Sequence, residues 1–213
     1  MLLNLDKEQQ SKLFVKYKKY NRYLTYLLSL ILIVFLAGSA VYAEQFKFWD
    51  DAISYLGKIY PVNGISNLYS FIIFSSGMIV SSLICFRISI ILRGTKDYFI
   101  YIIAGIGFIL LAVPTDFINI IHTLGGALEV GSFWFYVLKS LIQLLKVRNK
   151  MKIFFYHVIL HGTVIPYAIL YSMGSPLRQG AQKIAVLGLI IILKITVIEY
   201  LQFLKKDIDD STI

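Results

Sequence analysis

Charge is scarce in this chain: 15% of its 213 residues are Asp, Glu, Lys or Arg, while 58% are hydrophobic. A soluble globule wets its surface with about 25% charged residues, so a water-soluble domain is excluded. Cysteine is scarcer still. Cys85 is the only one, which rules out an intramolecular disulfide and leaves a small core residue as its reading. The common catalytic signatures are missing as well: the sequence contains no Walker loop, no GxSxG, no HExxH and no CxxC.

Long apolar runs fill the space that these absences leave. They lie near residues 22–43, 66–92, 98–115, 119–145, 153–173 and 181–204. Each approaches the roughly 20 residues that carry a helix across about 30 Å of hydrocarbon. The expected fold is therefore all-α, a polytopic bundle of six transmembrane helices over residues 22–204. A basic juxtamembrane leader (1–21) and a short tail (205–213) flank it. The first run ends in Gly38, Ser39, Ala40, Val41, Tyr42 and Ala43, small enough for a signal peptidase, but it is longer than a secretory h-region and follows a long basic preamble. It is expected to stay as a membrane helix.

The net charge of +9 follows the membrane rather than a nucleic acid. Lys7, Lys12, Lys16, Lys18, Lys19 and Arg22 precede the first run; Arg93 and Lys96 follow the second; Lys146, Arg148, Lys150 and Lys152 follow the fourth; Lys205 and Lys206 close the chain. The opposite loops hold only Lys47, Lys58, Arg178 and Lys183. The positive-inside rule then puts both termini in the cytoplasm, as in a multi-pass protein of the cell membrane. Phe14, Tyr17 and Tyr20 among the leader lysines fit a segment held at lipid headgroups, but a solvated basic leader with no specific partner is the favoured reading; membrane lipids are the expected partners of the protein as a whole.

Small residues set the packing expectations. Ser66/Ser70 and Gly77/Ser81, each four apart, suit close helix approach and would make the second helix central; Gly105, Gly107, Gly125 and Gly126 read alike. Pro114 should end or kink the third helix and Pro166 should kink the fifth. The outer segment 44–65, rich in Phe46, Phe48, Trp49, Tyr55 and Tyr60, reads as an interfacial lid, with Asp50 as N-cap of a short helix closed by Gly57.

Ionisable groups within the runs are the functional clue, since a charge at the bilayer centre costs about 2.5–3.5 kcal/mol. At 1.5 Å per residue, Glu129 lies about 15 Å below the outer surface, His161 about 18 Å and Lys194 about 20 Å. His157 falls about 24 Å down and Glu199 about 27 Å. These depths suggest a polar ladder: Asp116 and His122 at the mouth, Glu129 with His161 and Lys194 midway, His157 with Glu199 below. The competing reading is a set of neutralising pairs that only fix packing. Lys194 and Glu199 stand about 140° apart around one helix, so one neighbour cannot receive both. Two metal sets are conceivable: His157 and His161 with Glu129 or Glu199, and Asp50 with Asp116 and His122. Nothing in the sequence specifies a cofactor, a metal or an oligomeric state.

The stretch Asp51-Ala52-Ile53-Ser54-Tyr55-Leu56-Gly57, then Asn67 before a Ser/Gly-rich helix, then Pro114-Thr115-Asp116 and His122, resembles the prokaryotic six-helix family catalogued as domain of unknown function 998. The same order is distantly similar to the Frag/DRAM group of membrane proteins, some of them tied to remodelling of glycolipid anchors. The resemblance implies a site on Ser54, Gly57, Asn67, Asp116 and His122, with Glu199 as a weaker match. Asp50, Asp51 and Asn119 border that outer mouth. Three functions follow as expectations. A lipid-modifying or lipid-handling protein would use Asp116 or Asp50 to orient His122 as a general base. A proton-coupled transporter or channel would relay protons through Glu129, His161, His157 and Glu199. A structural or assembly subunit would use these groups for packing alone.

Overall fold

The computed structural model describes residues 7–60 and 64–210 and holds six helices, with no strand among the described residues. They are α1 (Lys7–Ala40), α2 (Leu68–Ile91), α3 (Tyr98–Leu111), α4 (Asn119–Leu144), α5 (Lys150–Ser172) and α6 (Arg178–Asp210), with a single 3-10 turn at Ile53–Gly57. Residues 1–6 of the leader and 211–213 of the tail lie outside the described residues.

By length and composition, four helices can cross a membrane: Glu8–Ala40, Leu68–Ile91, Lys150–Ser172 and Arg178–Lys206. Their outward residues suit lipid, with Leu83, Ile90, Phe154 and Ile191 all exposed. The other two depart from the expected pattern. α3 has 14 residues, about 21 Å of helix. It stops short of residue 115 because Pro114 cannot continue it, and the turn from Ala112 to Ile118 completes the path outward. α4 is long enough, at 26 residues, but is interrupted by His122, Glu129 and Lys139.

The helices alternate in direction, so each runs between the same two ends of the bundle. At one end Tyr17 of α1 meets Asp97 before α3 and Tyr200 of α6. At the other, Ala43 bonds Asn67 before α2, Ile53 bonds Gln182 at the start of α6, and Thr115 bonds Gly57. The start of α1 and the end of α6 therefore sit at one end of the bundle. α1, α2, α3, α4 and α6 close a ring through neighbouring contacts, and α5 packs against α6 and α4 from outside. α2 is a wall of that ring between α1 and α3, not its centre.

Helix one begins at Lys7, so its expected start near residue 22 moves by four turns. Residues 7–21 do not form a separate headgroup segment. Leu13, Tyr17, Tyr20, Leu24, Leu27 and Leu28 recur at three- and four-residue spacing and continue one buried face through the lysines. Tyr20 is fully buried, its hydroxyl bonded to that of Tyr101, and its ring packs edge-on against Tyr101 and Tyr136. Solvated lysines occupy the opposite face.

Helix approach is closest where side chains vanish. Gly107 of α3 and Gly125 of α4 face each other backbone to backbone: a Cβ on Gly125 would lie 2.7 Å from the Gly107 carbonyl oxygen. Gly77 similarly accepts Val34 of α1. These contacts replace hydrophobic driving force, which lipid does not supply, by dispersion at short range.

Candidate functional site

The outer loop is a folded lid. Asp51 Oδ2 accepts from the Lys47 amide at 2.7 Å, closing a turn. The short helix forms only from Ile53, with Ala52 rather than Asp50 at its cap position, and ends at Gly57 as expected. Asp50 is exposed. Asn67, 1% exposed, holds both edges of the lid: its Nδ2 donates to the Lys58 carbonyl at 2.9 Å and its Oδ1 accepts from the Ala43 amide at 3.0 Å. Lys183 of α6 is 2% exposed and donates to the Asp51 carbonyl and, at 3.0 Å, to the Gln179 carbonyl, beneath the Phe46 and Phe48 rings. Beyond the end of α1, Tyr42 packs on Phe46 at 5.6 Å. Burial pushes the Tyr42 hydroxyl up to about 12, helped by the charges of Asp51 and Glu44.

Asn67→Ala should therefore loosen the lid. Two part-buried backbone groups lose their partners, at roughly 1 kcal/mol each. The thermal midpoint in detergent should fall, and cleavage between residues 43 and 58 by a protease should speed up.

Under the lid is a cavity of about 760 Å³, lined by Ile31, Val34 and Phe35 of α1, Phe74 and Met78 of α2, Phe108 of α3, Gly126, Val130 and Trp134 of α4, Val164 and Ala168 of α5, and Ala185 and Leu189 of α6. Along α4 it reaches from Asn119 to Trp134, about 22 Å at 1.5 Å per residue. It is predominantly apolar, with few polar groups. His122, Glu129 and Lys183 also line it.

His122 is 4% exposed and stacked on Phe74. Its Nδ1 lies 3.1 Å from the Val113 carbonyl oxygen, which can only accept, so the ring proton sits on Nδ1. Nε2 is then a bare acceptor, and it is buried without a partner. The expected Asp116–His122 pair does not form. Both Asp116 oxygens are engaged by the amides of Ile59 and Tyr60, at 2.9–3.2 Å. Glu129 makes no side-chain hydrogen bond or ion pair with any described residue.

A second cavity of about 450 Å³ adjoins the first at the outer mouth. The two share Ser54, Asn119, Tyr167, Tyr171 and Gln182. Its remaining wall is polar and includes Tyr55, Lys58, Thr115, Asp116, Arg178 and Gln179. Sequence reasoning missed most of this vestibule. Gln179, Gln182 and Lys183 offered a signal, three polar residues on one face at the start of an apolar helix.

The intramembrane ladder is not assembled as expected. Lys194 turns to α1, donating to Asn21 Oδ1 at 2.7 Å and Thr25 Oγ1 at 2.6 Å, away from Glu129 and His161. Glu199 does not meet His157; it is held by Lys152, by Arg148 at 3.3 Å and by the Tyr156 hydroxyl at 3.3 Å. His157 Nδ1 and His161 Nε2 lie 3.4 Å apart with stacked rings, and Trp134 packs edge-on to His161. Among the described residues no three His, Cys, Asp or Glu side chains converge to hold a metal ion, so neither metal set forms.

No protein-family model, curated protein or solved structure matches this chain.

Proposed function

We propose that this integral membrane protein handles lipid, taking the hydrocarbon of an amphiphile into the chamber while the polar end rests in the vestibule. The observation that carries this is the chamber itself: about 760 Å³, apolar, and adjoining a polar mouth with which it shares Ser54, Asn119, Tyr167, Tyr171 and Gln182. Ligand cavities of roughly 300–1,000 Å³ with a few placed polar groups are the usual form of a small-molecule site. The division into an oily and a wet half matches the division of a lipid. The family resemblance, concentrated on Ser54, Asn67, Asp116 and His122, adds to the same outer face. Of these, His122 and Ser54 line the chamber, while Asn67 and Asp116 build the lid and mouth.

Chemistry on the lipid has a narrower base. His122 lines the chamber, but its unpaired Nε2 is itself buried and its orienting group is a carbonyl rather than a carboxylate. A carbonyl fixes the tautomer yet gives an imidazolium less stabilisation than a carboxylate would. Binding and movement of lipid therefore need less from these residues than ester cleavage does. Proton relay has weaker support again, since Glu199 and Lys194 are committed to α5 and α1.

Filling the chamber tests the proposal. A Cβ on Gly126 meets only Leu111 Cδ2, at 3.7 Å, so Gly126→Phe projects a ring into the space without striking backbone. Photo-crosslinking of a long-chain diazirine phospholipid to purified protein should drop about tenfold or more as the ring displaces ligand carbon. Ile103→Phe, on the lipid-facing side of α3, should leave it unchanged. Equal labelling of both variants and the parent would overturn the chamber as the lipid site.

A further inference from the structure

We infer that the vestibule reads a phosphate-bearing headgroup, with Lys58 and Arg178 as its cationic clamp; this rests on the lipid-handling reading of the same site. Both side chains line the vestibule. Neither has a carboxylate partner: the ion pairs of the described residues are Lys12–Glu8, Lys139–Asp97, Arg148–Glu199 and Lys152–Glu199. Both are instead poised over aromatic rings, Lys58 Nζ 4.0 Å from the centre of Tyr55 and the Arg178 guanidinium 5.9 Å from that of Tyr171. An aromatic face orients a cation while leaving its N–H donors free, as a carboxylate would not.

The carboxylate in this vestibule, Asp116, pairs with neither. Its two oxygens accept from the amides of Ile59 and Tyr60, which occupies its lone pairs but leaves its charge, and the two cations outnumber it. Gln182 is likewise fixed by the Ile53 amide through its oxygen, at 2.9 Å, which leaves its NH₂ as a further donor at the boundary between the two cavities. Donors therefore outnumber free acceptors on this wall. Gln179 Oε1 is buried and closed to a ligand. Two cations and an amide donor are the complement of a phosphodiester, because Arg and Lys bind phosphate by charge-assisted hydrogen bonds. The apolar chamber that shares Gln182 with the vestibule then receives the acyl chains. That adjacency selects a lipid headgroup over free phosphate.

The test uses the full chain purified in neutral detergent and measures binding of four probes: phosphatidylglycerol, phosphatidylcholine, diacylglycerol and inorganic phosphate. Both phospholipids should bind about 10- to 100-fold more tightly than diacylglycerol, the worth of one or two hydrogen bonds to a charged group. Inorganic phosphate alone should bind weakly and compete only at high concentration. Lys58→Gln with Arg178→Gln should bring phospholipid affinity down to that of diacylglycerol while leaving diacylglycerol binding and the melting temperature unchanged. Apart from their contacts with the Tyr55 and Tyr171 rings, neither side chain is engaged in an ion pair, and the Lys58 hydrogen bonds run through its backbone, so the variant is expected to fold. Equal affinity of the unsubstituted protein for phospholipid and diacylglycerol, or phospholipid binding that survives the double substitution, would overturn the clamp and leave the chamber reading standing. Failure to bind any of the three lipids would overturn both, and tight binding of inorganic phosphate with no lipid preference would assign the site to the free ion instead.

Discussion

Gly125→Ala should lower the stability of the protein by about 2 kcal/mol, although alanine is the better helix former. Two effects oppose each other. Replacing a mid-helix glycine by alanine gains up to about 1 kcal/mol in propensity. The new Cβ, however, would lie 2.7 Å from both the Gly107 carbonyl oxygen and the Leu111 amide nitrogen. Those are backbone atoms, which cannot rotate away, so α3 and α4 must separate along their length. Overpacking at such a contact costs about 3 kcal/mol, and the loss wins. Gly107→Ala, with its Cβ 2.8 Å from the Glu129 amide nitrogen, should behave alike. Gly162→Ala in α5 is the control with opposite sign, because nothing lies within 4 Å of its Cβ. Thermal unfolding in detergent should show a fall for the first two and a small rise for the third. A neutral Gly125→Ala would mean that α3 and α4 do not meet through this pair.

The same glycines show what a sequence discloses about a membrane bundle. Apolar runs and charge asymmetry are one-dimensional signals, and they sufficed for helix number, alternation and a shared end for the start of α1 and the end of α6. Pro114 stopped α3 as its missing donor requires. The start of α1 escaped because lysines were weighed as solvent markers, whereas Tyr17, Tyr20 and Leu24 carry the buried face past them. A helix can be basic on one side and buried on the other, and only the period distinguishes that from a solvated leader. The centrality expected of α2 failed for a related reason. Small residues say that something approaches closely, as Val34 does at Gly77, without saying how many neighbours there are.

The site was legible by depth and illegible by rotation. Counting 1.5 Å per residue sets the level of a side chain, but which neighbour it meets depends on the azimuth of its own helix, fixed by packing elsewhere. Lys194 and Glu199, about 140° apart, accordingly serve α1 and α5 respectively. Depth and the family resemblance both put Asp116 and His122 at the outer mouth. The turn after Pro114 separates them, sending Asp116 to the lid amides and His122 under the lid against Phe74. The vestibule cations lie in the lid and at the first residue of α6, more than a hundred positions apart in the chain, and no local pattern could have joined Lys58 to Arg178.

Lys139→Met should be the most damaging single change at the opposite end of the bundle, costing roughly 3 kcal/mol. Lys139 of α4 pairs with Asp97, whose side chain is 11% exposed and also accepts the Tyr17 hydroxyl at 3.1 Å. Removing one partner of a buried pair strands the other, at about 3–5 kcal/mol. The ammonium side chain keeps 26% of its exposure, so the lower end of that range applies. The pair itself need not be stabilising, because ion desolvation opposes its attraction. Asp97→Leu combined with Lys139→Met should therefore recover most of the loss, a coupling of about 2 kcal/mol in a double-mutant cycle. Tyr17→Phe separates the pair from the tyrosine cluster. It should cost about 1 kcal/mol in the unsubstituted protein, where the hydroxyl has an acceptor, and should be neutral to stabilising in the doubly substituted one, where the buried hydroxyl has lost it. Unfolding in detergent across the set gives the answer, and single losses that simply add would show that Asp97, Lys139 and Tyr17 do not act as one buried unit joining α1, α3 and α4.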